Sequence, residues 1–231
     1  MKLVLFDIDG TLTATSRTDN ACFARAFERA FGKPLPTTDW RAYANVTDVG
    51  ILSEVLNAGA VATLGDDDVA RFEGFYREEL QASFLKDPSG FRAVPGARTV
   101  LRTLDEREDT TTALATGGMR RTALFKLARI GVDGTTIPGA FANDALTRSE
   151  IARKAIERSG VDADDIIYIG DGVWDVRTAA DLDIRFIGMV HESSTESLRA
   201  AGASTFLSDY RDPIAFEEAL ESATVPGNGR R

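Results

Sequence analysis

Two aspartates separated by a single residue follow a short apolar run near the start of the chain. Residues 3–6 have the composition of a strand buried on both faces, and Asp7 and Asp9 come directly after them. Like charges placed this close are unfavourable unless a cation or a shared proton offsets them. Gly10 and Thr11 then supply a tight turn with exposed amides. The pattern predicts a reactive or metal-binding site rather than a solvated turn.

A second pair of acids follows another predicted buried strand. Residues 166–169 end at Gly170 and Asp171, and Asp175 comes four residues later. Together with Asp7, these carboxylates form an oxygen-rich set that suits Mg²⁺, a hard cation that binds carboxylates, carbonyls, water and phosphate oxygens. The sequence therefore predicts a magnesium site at the ends of two strands.

Thr116 and Gly117 end a third predicted strand, residues 110–115, just before a helix. A hydroxyl group and glycine amides at a helix start can bind an anion. Simple helix capping explains the same residues equally well, so this motif alone leaves both interpretations open.

A cation stands at the start of the next predicted helix. Thr147 and Glu150 have the spacing of a capping box, which places Arg148 in the first helical turn. A long side chain can reach back from there to an anion, whereas Lys154 lies six residues on, roughly 9 Å along the helix. Arg148 is therefore preferred as the anion-binding cation, with Lys154 as the alternative and a plain surface charge as the structural explanation.

The segments that carry these motifs alternate between strand and helix. Such alternation predicts an α/β fold with a parallel sheet covered on both faces, and ligands bind such sheets at the carboxyl ends of the strands. The predicted strands are residues 3–6, 110–115, 166–169 and 184–188, and the helices between and after them cover residues 97–104, 119–130, 148–158, 175–182 and a last one that begins at Asp212-Pro213.

The region between the first two strands is predicted to be almost wholly helical, with helices at residues 20–31, 48–56 and 67–84. We therefore divide the chain into an α/β core of residues 1–13 and 93–225, an inserted all-helical cap of residues 14–92, and a flexible tail of residues 226–231. Because the insertion leaves directly after the first strand, we expect the cap to cover the ligand-binding end of the sheet as a lid.

Composition narrows the range of partners. The formal net charge of −9 argues against nucleic acid, since phosphate backbones select basic faces, but a phosphorylated small molecule needs only local positive charge. No apolar run has the length of a signal peptide or a membrane span, so we expect no membrane association and a cytoplasmic location. The single cysteine, Cys22, falls in a stretch with periodic apolar residues and is predicted to be a buried packing residue, not a reactive thiol.

In this order, the four motifs resemble those of the haloacid dehalogenase superfamily of phosphotransferases, and the resemblance covers nearly the whole chain. It implies a Rossmann-like core with a C1-type helical cap, most similar to the phosphoglycolate-phosphatase-like branch. Gly118 and Arg148 stand where that branch more often has asparagine and lysine, which bears on the substrate and not on the chemistry. The residues that carry the resemblance are Asp7-Ile8-Asp9-Gly10-Thr11-Leu12, Thr116-Gly117 with Lys126-Leu127, Arg148, and Gly170-Asp171-Gly172 with Asp175.

The resemblance implies a Mg²⁺-dependent phosphatase that acts on a small phosphorylated metabolite, either phosphoglycolate-like or a sugar phosphate. Asp7 would attack phosphorus and form an aspartyl-phosphate, and Asp9 would act first as acid and then as base. Mg²⁺ would be held by Asp7, the backbone carbonyl of Asp9 and Asp171, with Asp175 in a supporting position.

Phosphate binding and substrate recognition are implied for further residues. Thr116, Gly117 and Arg148 would bind the oxygens of the transferring phosphoryl group. In the cap, Thr47 and Asp48 resemble a Thr-Asp pair found at a helix start in related phosphatases, which makes them candidates for contact with the substrate. Capping of the helix by Thr47 is the alternative explanation.

Other functions fit the sequence less well. A hexose-phosphate mutase of the same superfamily usually has a histidine early in the cap, and the single histidine here, His191, is predicted to lie in a core loop. A catalytically silent, ligand-binding member would lack a catalytic residue, yet every such position is filled. A signalling receiver domain is shorter and has no inserted lid.

Overall fold

A parallel sheet forms the centre of the protein in the computed structural model, which describes residues 1–57, 64–191 and 194–227. Its strands are β1 (Lys2–Phe6), β2 (Thr110–Ala115), β3 (Gly139–Ala140), β4 (Asp165–Gly170), β5 (Arg185–Met189) and β6 (Phe206–Leu207). Their order is β3-β2-β1-β4-β5-β6, and every pairing is parallel. The predicted α/β fold is confirmed.

Nine helices accompany the sheet in the described residues. They are α1 (Ser16–Phe31), α2 (Asp48–Asn57), α3 (Asp66–Lys86), α4 (Ala97–Asp105), α5 (Arg120–Arg129), α6 (Arg148–Ser159), α7 (Val173–Leu182), α8 (Thr195–Ala200) and α9 (Pro213–Ser222). The four predicted strands match the observed ones to within one residue at each end. The elements β3, β6 and α8 were not predicted, because they are too short to show a periodic pattern.

Alternation along β1 explains why helices cover both faces of the sheet. Val4 and Phe6 belong to an apolar cluster with α4, α5 and α9, whereas Leu3 and Leu5 belong to a second cluster with α6, α7 and α8. Successive side chains of a strand point to opposite faces, so a continuous apolar run is what a strand between two helical layers requires. The central position of β1 brings Asp7 to the middle of the sheet edge.

The region between β1 and β2 contains α1, α2 and α3, and we call it the helical insertion. The chain enters and leaves it through a short antiparallel pairing, in which Ala14 N donates to Arg92 O at 2.7 Å and Val94 N donates to Leu12 O at 3.0 Å. The interior of the helical insertion is aromatic: Phe23 packs edge-on against Phe72, with ring centroids 4.9 Å apart.

The helical insertion rests on the core through α5. Met119 and Phe125 belong to the same apolar cluster as the aromatic residues of the insertion, and this contact places the insertion over the carboxyl ends of the strands. Cys22 is buried in that cluster, with its Sγ 3.2 Å from Ser83 Oγ. No described helix is both long and apolar enough to cross a membrane. Of the predicted flexible tail, residues 228–231 lie outside the described residues.

Candidate active site

Four sequence motifs meet at the carboxyl ends of β1, β2 and β4, where they face the helical insertion. A cleft with a volume of about 170 Å³ lies between these strand ends and the helical insertion. Its charged lining residues are Asp7, Asp9, Asp19, Asp48, Asp171, Lys126 and Arg148, and its other lining residues include Ser16, Asn20, Trp40, Thr47, Thr116, Gly117 and Trp174. This cleft is the candidate active site.

Asp7 lies at the floor of the cleft and is only 2% exposed. Arg148 donates to it, with Nη1 3.3 Å from Asp7 Oδ1. Burial raises the pKa of Asp7 to about 7, the negative charge of Asp175 adds to this rise, and the guanidinium of Arg148 opposes it. The strand end therefore holds a carboxylate that needs further positive charge to remain ionised at neutral pH.

Asp7, Asp171 and Asp175 form an acidic triad in which one carboxylate oxygen from each lies within 4.8 Å of the others. Gly10 makes room for it: the residue has φ +78°, and a Cβ there would lie 1.9 Å from Asp171 Oδ2. Any other residue would expel the Asp171 carboxylate from this position. Burial, followed by the charge of Asp7, raises the pKa of Asp171 well above its usual range.

The acidic triad fits a hard divalent cation, because it gathers desolvated carboxylate oxygens that repel one another without one. Its members differ in what else they bind. Asp175 Oδ1 accepts from Arg148 at 2.9 Å and from Tyr168 Oη at 3.0 Å, and its Oδ2 accepts from Gly172 N at 3.0 Å. Within the described residues, the Asp171 carboxylate accepts no hydrogen bond. Asp171 is therefore the more available ligand.

Arg148 occupies the first turn of α6, which begins with a complete capping box between Thr147 and Glu150. The side chain runs back into the cleft, where its Nε donates to Val46 O at 2.8 Å. A Cβ on Gly117 would lie 2.7 Å from Arg148 Nε, so glycine is needed for this approach. Lys154 points elsewhere and donates to Asp144 O at 2.6 Å on the surface. Of the two candidate cations, the structure brings Arg148 into the cleft and not Lys154.

Asp9 faces the opposite wall of the cleft from Arg148. Its Oδ1 accepts from Thr15 Oγ1 at 2.8 Å and from Thr13 Oγ1 at 3.2 Å. Its Oδ2 accepts from Lys126 Nζ at 2.5 Å. Three donors hold the carboxylate at the junction between the core and the helical insertion.

Lys126 and Asp19 are cleft residues to which the sequence analysis assigned no role, although Lys126 is among the residues that carry the resemblance. Lys126 is 1% exposed, and its Nζ also donates to Asp19 Oδ1 at 2.8 Å. Burial disfavours its charge, but Asp19 and Asp9 outweigh that effect and raise the pKa of Lys126. A lysine next to Leu127 on the apolar face of α5 was a usable signal, because lysine is almost never fully buried without a partner. Asp19 gave no such signal.

Thr116 and Gly117 lie beside Asp7, where the motif placed them. Thr116 is 2% exposed, its Oγ1 accepts from Gly118 N at 3.2 Å, and its hydroxyl lowers the pKa of Asp7. The Gly117 carbonyl accepts from Asp48 N at 2.8 Å, so this turn also contacts the helical insertion.

Thr47 and Asp48 line the cleft from the side of the helical insertion but are bonded differently. Thr47 Oγ1 donates to Leu146 O at 2.9 Å and accepts from Gly50 N at 3.0 Å, so both functions of its hydroxyl are used. Asp48 Oδ2 accepts from Met119 N at 2.8 Å, whereas its Oδ1 accepts no hydrogen bond from any described residue. These contacts favour capping for Thr47 and leave Asp48 as the residue able to bind a ligand.

Asp48 lies in a strongly electronegative environment. Burial raises its pKa to about 7; Lys126 opposes this rise, while the charges of Asp19 and Asp9 add to it.

Two further residues lie at the site. Trp174 lines the cleft, with the Cζ of Arg148 5.6 Å from the centre of its ring. His191 remains in the loop after β5, where its Nε2 lies 2.6 Å from Gly10 O, in contact with the site but outside the helical insertion.

Comparison with known proteins identifies the class to which this fold and site belong. The model of the haloacid dehalogenase-like hydrolase family matches residues 1–183, and the chain therefore belongs to that family of hydrolases. No curated protein matches the chain.

Solved structures share its fold over almost the whole length. A hydrolase from Pseudomonas syringae is 23% identical, with a TM-score of 0.74 and coverage of 97% of this chain and 100% of that one. A putative beta-phosphoglucomutase from Thermotoga maritima is 24% identical, with a TM-score of 0.61 and coverage of 94% and 99%. A predicted phosphatase from Clostridium acetobutylicum is 21% identical, with a TM-score of 0.63 and coverage of 95% and 98%.

Proposed function

We propose that this protein is a Mg²⁺-dependent phosphatase that hydrolyses a small phosphomonoester through an aspartyl-phosphate on Asp7. The observation that carries the proposal is the meeting of Asp7, Arg148 and Asp171 at the floor of one closed cleft. Phosphoryl transfer depends mainly on positioning and on charge neutralisation, and this arrangement supplies both. Family membership and the fold shared with a predicted phosphatase from Clostridium acetobutylicum support the choice of reaction.

Asp7 is the nucleophile in this proposal. Its carboxylate oxygen attacks phosphorus, and the bond between phosphorus and the leaving oxygen of the ester breaks. Water then attacks the aspartyl-phosphate, the bond between phosphorus and the Asp7 oxygen breaks, and inorganic phosphate leaves. Arg148 binds the phosphoryl oxygens, and Thr116 and the Gly117 amide lie where they can donate to the same oxygens.

Asp9 moves the proton in both steps. It gives a proton to the leaving oxygen and later takes one from the attacking water. When Asp9 carries that proton, its hydrogen bond from the Lys126 ammonium group weakens, because a neutral carboxylic acid is a poorer acceptor than a carboxylate. Lys126 can lose its bond to Asp9 without being left unpaired, because Asp19 remains 2.8 Å from its Nζ. The Lys126–Asp19 pair thus allows Asp9 to alternate between charged and neutral forms.

The metal site in this proposal consists of Asp7, the backbone carbonyl of Asp9 and Asp171, with Asp175 in support. When bound, Mg²⁺ supplies positive charge between the acidic triad and the phosphate, which lowers the barrier to attack by an anionic nucleophile on an anionic ester. Asp175 keeps Arg148 in place through the bond of 2.9 Å between them.

The helical insertion, residues 14–92, serves as the cap in this proposal, and residues 1–13 and 93–225 form the core. The cleft of about 170 Å³ is smaller than typical ligand pockets, which favours a small leaving group, phosphoglycolate-like or derived from a sugar. Mutase activity is the second candidate, since the structure from Thermotoga maritima that is described as a putative beta-phosphoglucomutase has the same fold. It is disfavoured because the one histidine, His191, contacts Gly10 in the core and not the cap.

Hydrolysis of p-nitrophenyl phosphate tests this function. We expect turnover with Mg²⁺, none after exhaustive chelation, and recovery when Mg²⁺ is restored. Asp7→Asn should abolish turnover, because an amide is a far poorer nucleophile than a carboxylate. Asp67→Asn is the matched control, since it removes the same charge from an exposed position on α3. Near-normal activity of Asp7→Asn, or full activity after chelation, would contradict the proposal.

A further inference from the structure

The charges around the cleft are unevenly divided. Its lining contains five carboxylates but only two cations among the described residues. The phosphate end has Arg148 and the proposed metal site. The cap end has Asp19 and Asp48 close to Asp9, with Lys126 as the single cation. A leaving group that extends from the phosphate toward the cap therefore enters an electronegative space.

Lys126 is already committed to other residues. Its ammonium group is 1% exposed and lies 2.5 Å from Asp9 Oδ2 and 2.8 Å from Asp19 Oδ1. Even when Asp9 carries its proton, Asp19 still needs this ammonium group, so an anion on the substrate would share a single positive charge with a desolvated carboxylate, which is costly. Arg148 is likewise held by Asp7 and Asp175 at the phosphate end. No described cation of the cleft remains for a second anionic group.

Asp48 offers the complementary contact. The residue lines the cleft, its Oδ2 accepts from Met119 N, and its Oδ1 has no partner among the residues that the structure describes. Gly118 lies beside both proposed participants, since a Cβ on it would be 3.9 Å from Asp9 Oδ2 and 4.0 Å from Asp48 Oδ2. Asp48 is thus close to the point where Asp9 would release the leaving group. A carboxylate oxygen there accepts hydrogen bonds and repels anions.

We propose that the leaving group of the substrate carries a hydrogen-bond donor, a hydroxyl or an ammonium group, and no second anion, and that Asp48 recognises it. The inference rests on the proposed phosphatase function and makes it narrower. It favours polyol or amino-alcohol phosphates and disfavours phosphoglycolate, even though the chain resembles the phosphoglycolate-phosphatase-like branch.

Three two-carbon phosphate esters of nearly equal size test this proposal. They are 2-hydroxyethyl phosphate, 2-aminoethyl phosphate and phosphoglycolate, whose distal groups are neutral, positive and negative. Calorimetric titration of the Asp7→Asn variant in Mg²⁺ at pH 8.5, where the Asp48 carboxylate is ionised, gives the Kd of each ester without turnover. We expect the hydroxyl or the amino ester to bind at least about tenfold more tightly than phosphoglycolate. If the amino ester binds more tightly than the hydroxyl ester, the donor is an ammonium group. If these two esters bind equally, a neutral donor is sufficient.

A second substitution tests the role of Asp48. Adding Asp48→Asn to Asp7→Asn should reduce the ratio between the Kd of phosphoglycolate and the Kd of the preferred ester to less than about threefold. The reason is that the repulsion between the Asp48 carboxylate and the carboxylate of phosphoglycolate is removed. Adding Thr47→Ala instead should leave the preference intact, since its hydroxyl is occupied by Leu146 and Gly50. Phosphoglycolate binding as tightly as the others, no measurable binding of any ester, or a preference unaffected by Asp48→Asn would overturn the inference.

Failure of this inference is distinguishable from failure of the proposed function. Hydrolysis of p-nitrophenyl phosphate by the wild-type protein reports on the function and does not depend on a distal group. An enzyme that hydrolyses the aryl ester but prefers phosphoglycolate remains a phosphatase, and it refutes the proposed selection against a second anion, which we call the charge selection. Absence of aryl ester hydrolysis refutes the function, while the order of the three Kd values still decides the charge selection.

Discussion

Asp9 is held in the cleft by hydrogen bonds from three side chains. Thr13, Thr15 and Lys126 all donate to it, and a carboxylate that accepts from three donors is held firmly in one orientation. Its proposed task requires in addition that it bind and release a proton. The hydrogen-bonding and proton-transfer contributions of Asp9 can therefore be separated by substitution.

Asp9→Asn keeps the shape and much of the hydrogen-bonding capacity of the residue but cannot transfer a proton. We expect the variant to fold normally by circular dichroism and to lose at least about a hundredfold in kcat, the range of acid–base catalysis. Asp19→Asn is the matched control, since it also removes one carboxylate from Lys126. It should cost much less in kcat. A loss of tenfold or less in Asp9→Asn, or an equal loss in both variants, would give Asp9 a lesser role.

Helix α6 places its first residue in the cleft and its later turns on the surface. The capping box of Thr147 and Glu150 fixes the start of the helix, and Arg148 thereby reaches Asp7 and Asp175. Lys154 is on the same helix and contacts Asp144. The position of each residue along α6 therefore decides which of the two candidate cations reaches the cleft.

Arg148→Ala should weaken binding of inorganic phosphate by about 30-fold or more, the order expected when one partner of a buried charged pair is truncated. Lys154→Ala should change it little, and Arg148→Lys should recover part of the loss by restoring the charge. The measurement is the inhibition constant of phosphate against p-nitrophenyl phosphate hydrolysis. A larger effect of Lys154→Ala than of Arg148→Ala would transfer the role to Lys154.

At the scale of the whole molecule, the acidic cleft is expected to lower stability. Asp48 illustrates the effect, since burial raises its pKa to about 7, with Lys126 opposing and Asp19 and Asp9 adding to the rise. Its pKa in the unfolded chain is about 4. Between these values the folded state binds the proton and the unfolded state does not, so stability falls as pH rises through this window.

Asp48→Asn should therefore stabilise the protein relative to wild type at pH 8.5 more than at pH 5. We expect the difference in the free energy of unfolding to grow by at least about 1 kcal/mol between these pH values, as a shift of one pKa unit is worth about 1.4 kcal/mol. Urea unfolding at both pH values measures it, with Asp67→Asn as the control for net charge. A difference that stays constant or shrinks at high pH would contradict the prediction.

The sequence by itself determined the α/β fold and the motifs at the ends of its strands. Patterns that repeat locally carried this information: apolar runs predicted β1 and β4, and a capping box predicted the start of α6. The acids and the glycine that follow the strands could be located because parallel strands end at the same edge. None of these inferences requires knowing which distant residues meet.

Only the tertiary structure decided how the cap side of the cleft is built. Lys126, Asp19 and Asp48 lie on three different helices, and nothing in their local sequence indicates that they share one space. Their contacts arise because α5 packs against the helical insertion over an aromatic interior. The same packing engages the hydroxyl of Thr47 and leaves one carboxylate oxygen of Asp48 without a hydrogen-bond partner in the described part of the chain. Charge balance in a cleft depends on residues far apart in the chain, so it becomes visible only when the chain is folded.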